Sequence, residues 1–325
     1  MFTNLIYLVG KLYNSLVRLD VHQHLWTAPL VEALERRTQL PFVRRDGRQF
    51  VVYVAGEAPS TVDLAGELPE RRIALLERDG IDAALIAISS PLGIEALPRE
   101  QAQELIDAHI AGLQAIGTPF GIWGPLALDG ICAADVDAIL ARGCVGVSLP
   151  AGALAPPYAL EGLADVLARI EQLGIPLFIH PGPGVGERPP ETSLNDPLWW
   201  PALTQYVSQM QAAWLSLQSV ARRAYPHLRV VFAMLAGCAP LLTERLIARG
   251  GPRLEGTDQL PYYYDTSSYG PVAIDAMAQR VGLGQLLYGS DRPVVEPPSG
   301  VTATFRHAFL HPNAAWLTEP SGVAV

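Results

Sequence analysis

Lysine is nearly absent from this sequence: of 23 basic side chains that are lysine or arginine, only Lys11 is a lysine, and it lies close to the N-terminus. Schiff-base aldolases, pyridoxal-phosphate enzymes and Walker-type nucleotidases each need a lysine as an amine nucleophile or as a phosphate ligand. The scarcity therefore argues against these three classes. Cysteine is scarce too, and Cys132, Cys144 and Cys238 are spaced too widely for a disulfide framework or a zinc ribbon, which favours a cytoplasmic protein.

Charged side chains are also few, since they make up 17% of the chain while 50% of the residues are hydrophobic. An average soluble domain has ~25% charged residues, so the composition predicts a large buried core and not a disordered chain. The 32 acidic residues give a net charge of −9, and no basic cluster stands out. We therefore expect a small-molecule substrate and no nucleic-acid partner. No apolar run reaches the ~18 residues that span a bilayer, so we expect no stable membrane insertion.

The first 17 residues differ from the rest of the chain. Four leucines recur there at helical spacing, namely Leu5, Leu8, Leu12 and Leu16. This spacing predicts an amphipathic docking helix or a frayed extension, because the segment lacks the basic start and the longer apolar run of a signal peptide. We predict an N-terminal extension over 1–17 and a single domain over 18–325.

Short apolar runs alternate with longer segments of helical period from residue 18 onward, which is typical of parallel strands covered by helices. Eight such runs are present, at 17–22, 83–88, 120–126, 145–149, 176–180, 229–233, 262–266 and 286–289. Eight β/α units in a chain of this length predict an α/β fold of the closed (β/α)₈ TIM-barrel type. In that fold the active site lies at the carboxyl ends of the strands.

Two insertions interrupt the regular pattern, and each follows the end of a strand. Residues 42–54 read as a hairpin that turns at Asp46-Gly47. The long loop 181–201, after the fifth strand, is rich in proline and glycine and carries Trp199 and Trp200. Both insertions are expected to form walls over the barrel mouth. Trp26, Trp199 and Trp200 are candidates to line a substrate pocket, although Trp26 also fits a packing role beneath the first loop.

The strand ends carry three histidines and one aspartate. His22 and His24 follow the first strand, His180 ends the fifth, and Asp291 follows the eighth. Side chains two residues apart on a strand point the same way, so the first two imidazoles should face the barrel mouth together. Three imidazoles and a carboxylate suit a single divalent ion, with Zn²⁺ as the first expectation and Mn²⁺ or Fe²⁺ as alternatives.

At these positions the sequence resembles the amidohydrolase superfamily, and within it the amidohydrolase-related branch typified by aminocarboxymuconate-semialdehyde decarboxylase. The resemblance covers the chain from Leu19 to about Leu317. It rests on the segments Asp20-Val21-His22-Gln23-His24, Ile179-His180-Pro181-Gly182, Pro240-Leu241-Leu242, Tyr264-Asp265-Thr266-Ser267 and Tyr288-Gly289-Ser290-Asp291-Arg292-Pro293. It implies that His22, His24, His180 and Asp291 bind one divalent metal.

One departure from the family concerns proton transfer. After strand six the family has a histidine in a segment like Ala-His-Leu-Gly-Gly, whereas this chain has Met234 at that point. A thioether cannot transfer a proton. We therefore assign Met234 to the substrate pocket and Asp291 to catalysis, as the group that takes a proton from a metal-bound water. The fourth strand, 145–149, has no lysine, so the lysine-bridged metal pair of binuclear members is excluded and one metal is expected.

The sequence leaves three functions open. The leading prediction is a mononuclear metal-dependent hydrolase of a small ester, lactone or amide. The alternative is a metal-dependent non-oxidative decarboxylase of a small, possibly aromatic, carboxylic acid. A third is a catalytically weakened metal- or ligand-binding protein, because Met234 replaces the usual histidine. Arg292 is predicted either to bind a substrate carboxylate or to form a loop ion pair. A homodimer is compatible with the resemblance.

Overall fold

The fold was analysed in a computed structural model, which describes residues 17–188, 196–253, 261–297 and 300–310. Eight parallel strands, from β1 (Leu19–Gln23) to β11 (Leu286–Leu287), form one sheet in which each strand pairs with the next of them along the chain, and three antiparallel strands form a second sheet. The backbone of β1 also bonds to the segment after β11, through Val21 N to Tyr288 O at 2.9 Å and Asp291 N to His22 O at 2.9 Å. These bonds close the large sheet into a ring, so the predicted (β/α)₈ barrel is confirmed.

The barrel strands are short, and most of them lie where the apolar runs predict them. In chain order they are β1 (Leu19–Gln23), β5 (Ala83–Ile86), β6 (Phe120–Pro125), β7 (Gly146–Pro150), β8 (Leu177–His180), β9 (Val230–Phe232), β10 (Tyr262–Asp265) and β11 (Leu286–Leu287). Every barrel strand except β10 is buried at all positions, as expected when helices cover the outside and side chains fill the inside.

Helices surround this ring in the described part of the chain. They are α1 (Ala28–Arg36), α2 (Pro69–Asp79), α3 (Arg99–Ile116), α4 (Ala133–Ala141), α5 (Ala164–Leu173), α6 (Trp200–Leu203), α7 (Gln205–Ser216), α8 (Arg222–Ala224), α9 (Thr243–Ala248), α10 (Pro271–Val281) and α11 (Ala303–Leu310). Several end at a glycine with positive φ, such as Gly80 or Gly174, because glycine adopts this conformation without the steric cost that a side chain brings. None of these helices is long and apolar enough to cross a membrane.

Aromatic rings fill the barrel interior below the strand ends. Phe178 stacks on Trp123 with 5.1 Å between ring centroids, and Phe232 stacks on Tyr264 at 5.7 Å. The edge of Phe178 also meets the His22 ring at 5.1 Å. The core therefore extends up to the predicted ligands and gives them a rigid floor, since closely packed rings leave little room for rotation.

The insertion after β1 forms the small sheet. The predicted hairpin is confirmed as β2 (Phe42–Asp46) and β3 (Gln49–Tyr53), and a third strand that the sequence analysis did not predict, β4 (Ser60–Asp63), pairs with β3. Near the C-terminus, the chain forms the helix α11 (Ala303–Leu310). The predicted extension over 1–17 lies outside the described residues except for Val17, and so do residues 311–325 of the predicted domain.

Candidate metal centre

Three histidine rings meet at the carboxyl ends of β1 and β8. The centroids of His22 and His24 are 5.0 Å apart, and each lies 4.9 Å from the centroid of His180. Each pair of rings is nearly perpendicular, with interplanar angles of 88°, 88° and 90°. Three imidazoles in this arrangement direct their edges to one point, as ligands on one face of a metal ion do.

Each of these rings is held by its Nδ1 atom. The nearest partner is Asp265 Oδ2 at 2.8 Å for His22, the carbonyl of Ala87 at 2.9 Å for His24, and the carbonyl of Pro181 at 2.9 Å for His180. All three partners are acceptors, so each Nδ1 carries the proton and donates it. The three Nε2 atoms therefore keep their lone pairs free, which is the tautomer that a metal ligand needs.

Asp291 completes the set from the loop after β11. Its Oδ1 lies 3.1 Å from His24 Nε2 and 3.4 Å from His22 Nε2, and its Oδ2 accepts a hydrogen bond from the Ser268 hydroxyl at 3.2 Å. Asp291 has a positive φ of 59°, which is costly for a residue with a side chain. The hydrogen bond from Asp291 N to His22 O holds it in this conformation, so the loop turns the carboxylate toward the histidines.

A divalent cation fits these four side chains. One donor atom from each lies within 4.8 Å of all the others, and all four residues are buried. Two Nε2 lone pairs, on His22 and His24, face each other at 3.2 Å, and Asp291 Oδ1 is buried without a hydrogen-bond donor. Such acceptor groups repel one another unless a cation lies between them. The structure therefore has a single divalent-metal site at His22, His24, His180 and Asp291.

The pKa values of the protein without a metal reflect this concentration of negative charge. Burial alone would lower the pKa of His22, but the carboxylates of Asp265 and Asp291 outweigh it and raise this pKa to about 9. Burial opposes ionisation of Asp291, yet the neighbouring imidazoles of His22 and His24 bring its pKa down to about 2. Burial lowers the pKa of His180 well below its ordinary value. The two buried carboxylates therefore favour the charged form of His22, and the imidazoles favour the charged form of Asp291.

Asp265, at the end of β10, is a functional residue to which the sequence analysis gave no role. It is fully buried and accepts four hydrogen bonds: from His22 Nδ1, from the Ser267 hydroxyl, and from the backbone N–H groups of Met234 and Ser267 at 3.1 and 2.9 Å. The sequence signal was present, because the aspartate follows the run Tyr262–Tyr264 at a strand end. Asp265 therefore positions one ligand and anchors the chain after β9.

The residues after β9 form a left-handed turn. Met234, Leu235, Ala236, Gly237 and Cys238 all have φ between 50° and 59°. A left-handed conformation costs roughly 1–2 kcal/mol for each residue with a side chain, so neighbouring contacts must maintain it. Helix α7 packs on this turn so closely that a Cβ atom on Gly237 would lie 2.9 Å from the carbonyl oxygen of Val207. The turn places the Met234 side chain in the cavity above the metal site.

The metal site opens into a cavity of about 520 Å³. His24, His180 and Asp291 lie on its floor, and Trp26 and Met234 are among its other lining residues. Trp26 also packs edge-on against Phe50 of β3, with ring centroids 5.1 Å apart, so both roles considered for it are present. Most of the other lining residues come from the segments that follow β1 and β8, among them Val52, Val54, Glu57, Val62, Leu198 and Pro201. Ala202 of α6 and Tyr206 of α7 add to this wall.

Trp199 and Trp200 lie beside this cavity and do not line it. The rings are 56% and 47% exposed, and they contact each other with centroids 5.8 Å apart. Their neighbours Leu198, Pro201 and Ala202 line the cavity instead. The loop after the fifth strand thus forms part of the cavity wall as predicted. Its lining residues include Leu198 and Pro201, whereas the predicted Trp199 and Trp200 do not line the cavity.

Arg292 points away from the metal site. Its guanidinium pairs with Asp79 of α2 at 2.8 Å and with Glu296 at 2.9 Å, and it lines a separate cavity near α2 and α11. Two roles were predicted for Arg292, a contact with the substrate and an ion pair, and the structure shows the ion pair. The structure therefore contradicts the prediction that Arg292 binds a substrate carboxylate, because its guanidinium already pairs with the carboxylates of Asp79 and Glu296.

Two further polar pairs lie at the cavity wall, and the sequence analysis did not identify them. The Tyr206 hydroxyl, on α7, donates a hydrogen bond to Glu57, which follows β3. Burial raises the pKa of Glu57 above its usual value. Behind the wall, Arg72 pairs with Glu67 at 3.1 Å and donates to Gln23 at 2.8 Å. Glu57 and Tyr206 are 149 residues apart in sequence, and Gln23 and Arg72 are 49 apart, so only the folded chain brings these partners together.

Comparison with known proteins supports the fold. No protein-family model matches this chain, and no curated protein sequence does either. Among solved structures, IDCase from Metarhizium anisopliae in its apo form matches with a TM-score of 0.72 and 18% identity over 95% of this chain and 99% of that one. A structure described as amidohydrolase II matches with a TM-score of 0.70 and 18% identity over 93% of this chain and all of the other.

A third similar structure contains a metal and an aromatic acid. It is 5-carboxyvanillate decarboxylase from Novosphingobium aromaticivorans with manganese and 4-hydroxy-3-methoxy-5-nitrobenzoic acid, at a TM-score of 0.68 and 19% identity over 93% of this chain and 96% of that one. Identities this low establish the fold alone. The chain therefore shares the barrel fold of these structures.

Proposed function

We propose that this protein is a metal-dependent enzyme that catalyses the non-oxidative decarboxylation of a small aromatic carboxylic acid. The observation that carries the proposal is the metal site at the floor of a cavity of about 520 Å³, with three imidazoles whose tautomers are fixed for metal binding. The fold is shared with a decarboxylase that binds manganese and an aromatic acid. We therefore prefer decarboxylation to the hydrolysis that led the sequence-based expectations.

Zn²⁺, Mn²⁺ or Fe²⁺ would be held by His22, His24, His180 and Asp291, and when bound it would attract the carboxylate of the substrate and draw electron density from the reacting carbon. Trp26, Leu92 and Met234 line the cavity with apolar surface, so they exclude water and leave room for a flat ring. The manganese in the similar decarboxylase makes Mn²⁺ as strong a candidate as Zn²⁺.

The reaction needs one proton, because the bond between the ring carbon and the carboxylate breaks and its electron pair stays on the carbon. We assign Asp291 to relay this proton, since its carboxylate faces both the histidines and the cavity. The carboxylate is ionised near neutral pH, because its pKa is lowered to about 2, so it first takes up a proton from a water molecule in the cavity and then passes it on. The hydroxide ion that remains is neutralised by a proton from the solvent. The proton joins the ring carbon and CO₂ leaves. Met234 cannot take this part, because a thioether has no proton to give. Its role in the proposal is to pack against the substrate.

The proposal is tested by product analysis of protein loaded with Mn²⁺ or Zn²⁺. A panel of hydroxybenzoates is assayed for CO₂ release, and a panel of esters and lactones is assayed for hydrolysis. Elemental analysis of the purified protein identifies the resident metal. We expect CO₂ release, with Asp291→Asn losing about 10²-fold or more of the rate, as is typical when a proton-transfer group is removed.

Ser268→Ala provides the matched control, because it removes the 3.2 Å hydrogen bond to Asp291 and keeps the carboxylate. Its rate should fall less than that of Asp291→Asn. Hydrolysis of an ester or lactone without CO₂ release from any hydroxybenzoate would contradict the proposal and favour a metal-dependent hydrolase. A loaded protein that turns over neither panel but binds its members would favour the metal- or ligand-binding protein that the sequence left open.

A further inference from the structure

The cavity above the metal site is strongly acidic. Among the described residues that line it are five carboxylates and no lysine or arginine; the five are Glu57, Asp63, Glu67, Asp196 and Asp291. Residues 189–195, which precede the lining residue Asp196 and lie outside the description, also contain no lysine or arginine in the sequence. Arg292, the arginine next to Asp291, is held by Asp79 and Glu296.

Two of these carboxylates are compensated by their surroundings. Asp291 belongs to the metal site, and Glu67 pairs with the buried Arg72 behind the wall at 3.1 Å. Glu57 and Asp63 are different: Glu57 accepts a hydrogen bond from the neutral Tyr206 hydroxyl, and Asp63 accepts one from the backbone N–H of Ala65. Neither takes part in an ion pair within the described part of the chain. Their negative charges therefore act on whatever enters the cavity.

No lysine or arginine is found among the described residues that line the cavity, so a bound metal would supply the positive charge that neutralises one carboxylate of an acidic substrate at the floor. A second anionic substituent would be directed to walls that carry Glu57 and Asp63. Charges in a partly enclosed cavity interact more strongly than in bulk water, because the protein walls lower the effective dielectric constant. A neutral substituent escapes this repulsion, and an ammonium group is attracted.

We infer that the cavity selects aromatic monocarboxylates whose other substituents are neutral or cationic and rejects aromatic dicarboxylates, with Glu57 as the residue that determines this specificity. The inference rests on the proposed function only in placing one carboxylate at the metal. Tyr206 holds Glu57 at the wall, and the apolar residues around this pair contact the ring. Selection of this kind acts through repulsion of the wrong ligand as much as through attraction of the right one.

The test measures binding by calorimetry to protein loaded with Zn²⁺ or Mn²⁺. Three probes share a benzoate and differ at the meta position: 3-(aminomethyl)benzoate is cationic there, 3-(hydroxymethyl)benzoate is neutral and isophthalate is anionic. Isophthalate should bind at least about tenfold more weakly than the neutral probe, which corresponds to about 1.4 kcal/mol. The aminomethyl probe should bind at least as tightly as the neutral one. Protein stripped of metal should bind all three more weakly.

Variants assign the effect to the wall. Glu57→Gln should reduce the difference in affinity between isophthalate and the neutral probe. Tyr206→Phe keeps the charge of Glu57 and should keep most of this affinity gap. Asp63→Asn, at an exposed position, offers a second charge removal that does not disturb the core. A gap unchanged in both charge-removing variants would contradict the role of the wall, and an unchanged gap in Glu57→Gln alone would contradict the role of Glu57.

Two results would overturn the inference outright: isophthalate binding as tightly as the neutral probe, or no binding of any probe to the loaded protein. Binding does not depend on turnover, so the outcome is separate from the fate of the proposed function. Preference for the neutral and cationic probes without CO₂ release from any acid would support the selectivity and refute only the decarboxylase assignment.

Discussion

The hydrogen bond between His22 Nδ1 and Asp265 Oδ2 is the contact on which the metal site depends most, and Asp265→Asn tests it. The two atoms are 2.8 Å apart, and both side chains are fully buried. The other oxygen of Asp265 accepts the backbone N–H groups of Met234 and Ser267. An asparagine keeps these two bonds only if its carbonyl oxygen faces them, so its NH₂ group must face His22.

That orientation reverses the tautomer of the ring. Facing an N–H donor, His22 Nδ1 must accept, so its proton moves to Nε2 and blocks the lone pair that binds the metal. Loss of such a supporting carboxylate typically weakens metal binding by about 10–100-fold, equivalent to about 1.4–2.8 kcal/mol. The measurement is competition for Zn²⁺ or Mn²⁺ with a chromophoric chelator of known affinity.

Asp20→Asn is the matched control for Asp265→Asn. Asp20 is also a buried carboxylate near His22, but it bonds to Gln23 and to the backbone N–H groups of His22 and Ser290 and not to an imidazole. Its replacement should weaken metal binding less. Metal affinity of Asp265→Asn equal to that of the parent protein, or an equal loss in Asp20→Asn, would refute the argument from the tautomer.

Three further predictions concern stability. Glu95 is buried, accepts a hydrogen bond from Ser90, and has a pKa raised from 4.5 to about 7 by burial. Its protonated form is favoured in the folded state, so the free energy of unfolding should fall by roughly 3 kcal/mol as the pH rises from 4.5 to 7. Glu95→Gln should remove this part of the pH dependence, as measured by urea unfolding at several pH values. A chelator should lower the melting temperature, and metal at 100 times its Kd should raise the free energy of unfolding by about 2.7 kcal/mol. Gly112→Ala should destabilise the protein by about 1–3 kcal/mol, because the added Cβ would lie 2.1 Å from Thr27 Oγ1. Gly162→Ala, where nothing lies within 4 Å of the added Cβ, is its control and should be close to neutral.

Each of these three has a result that would contradict it. An unchanged pH profile in Glu95→Gln would mean that this carboxyl group does not titrate differently in the folded state. A melting temperature insensitive to both chelator and metal would argue against an ion at the four ligands. Equal stability of the Gly112 and Gly162 variants would show that the contact between α3 and the residues before α1 relaxes without cost.

The strands and the ligand positions were predictable because their signals are local. Runs of apolar residues mark buried strands, and polar residues directly after such runs mark the barrel mouth, which is why His22, His24, His180 and Asp291 could be named together. The third strand of the insertion, β4, was missed because Ser60–Asp63 is exposed and short of apolar residues. Its pairing with β3 comes from backbone hydrogen bonds, which leave no periodic pattern in the side chains.

The order of residue types along the chain was enough to predict the type of barrel, the four ligands and the position of Met234, because each depends on residues at strand ends whose order gives their place in the barrel. Three other features could be seen only in the folded molecule: which nitrogen of each histidine carries the proton, the turn of Arg292 toward Asp79, and the contact of Glu57 with Tyr206 at the cavity wall. These contacts join segments up to 243 residues apart, as between His22 and Asp265. Rotation about a few side-chain bonds selects among possible partners, and packing determines that rotation only when the whole chain is folded.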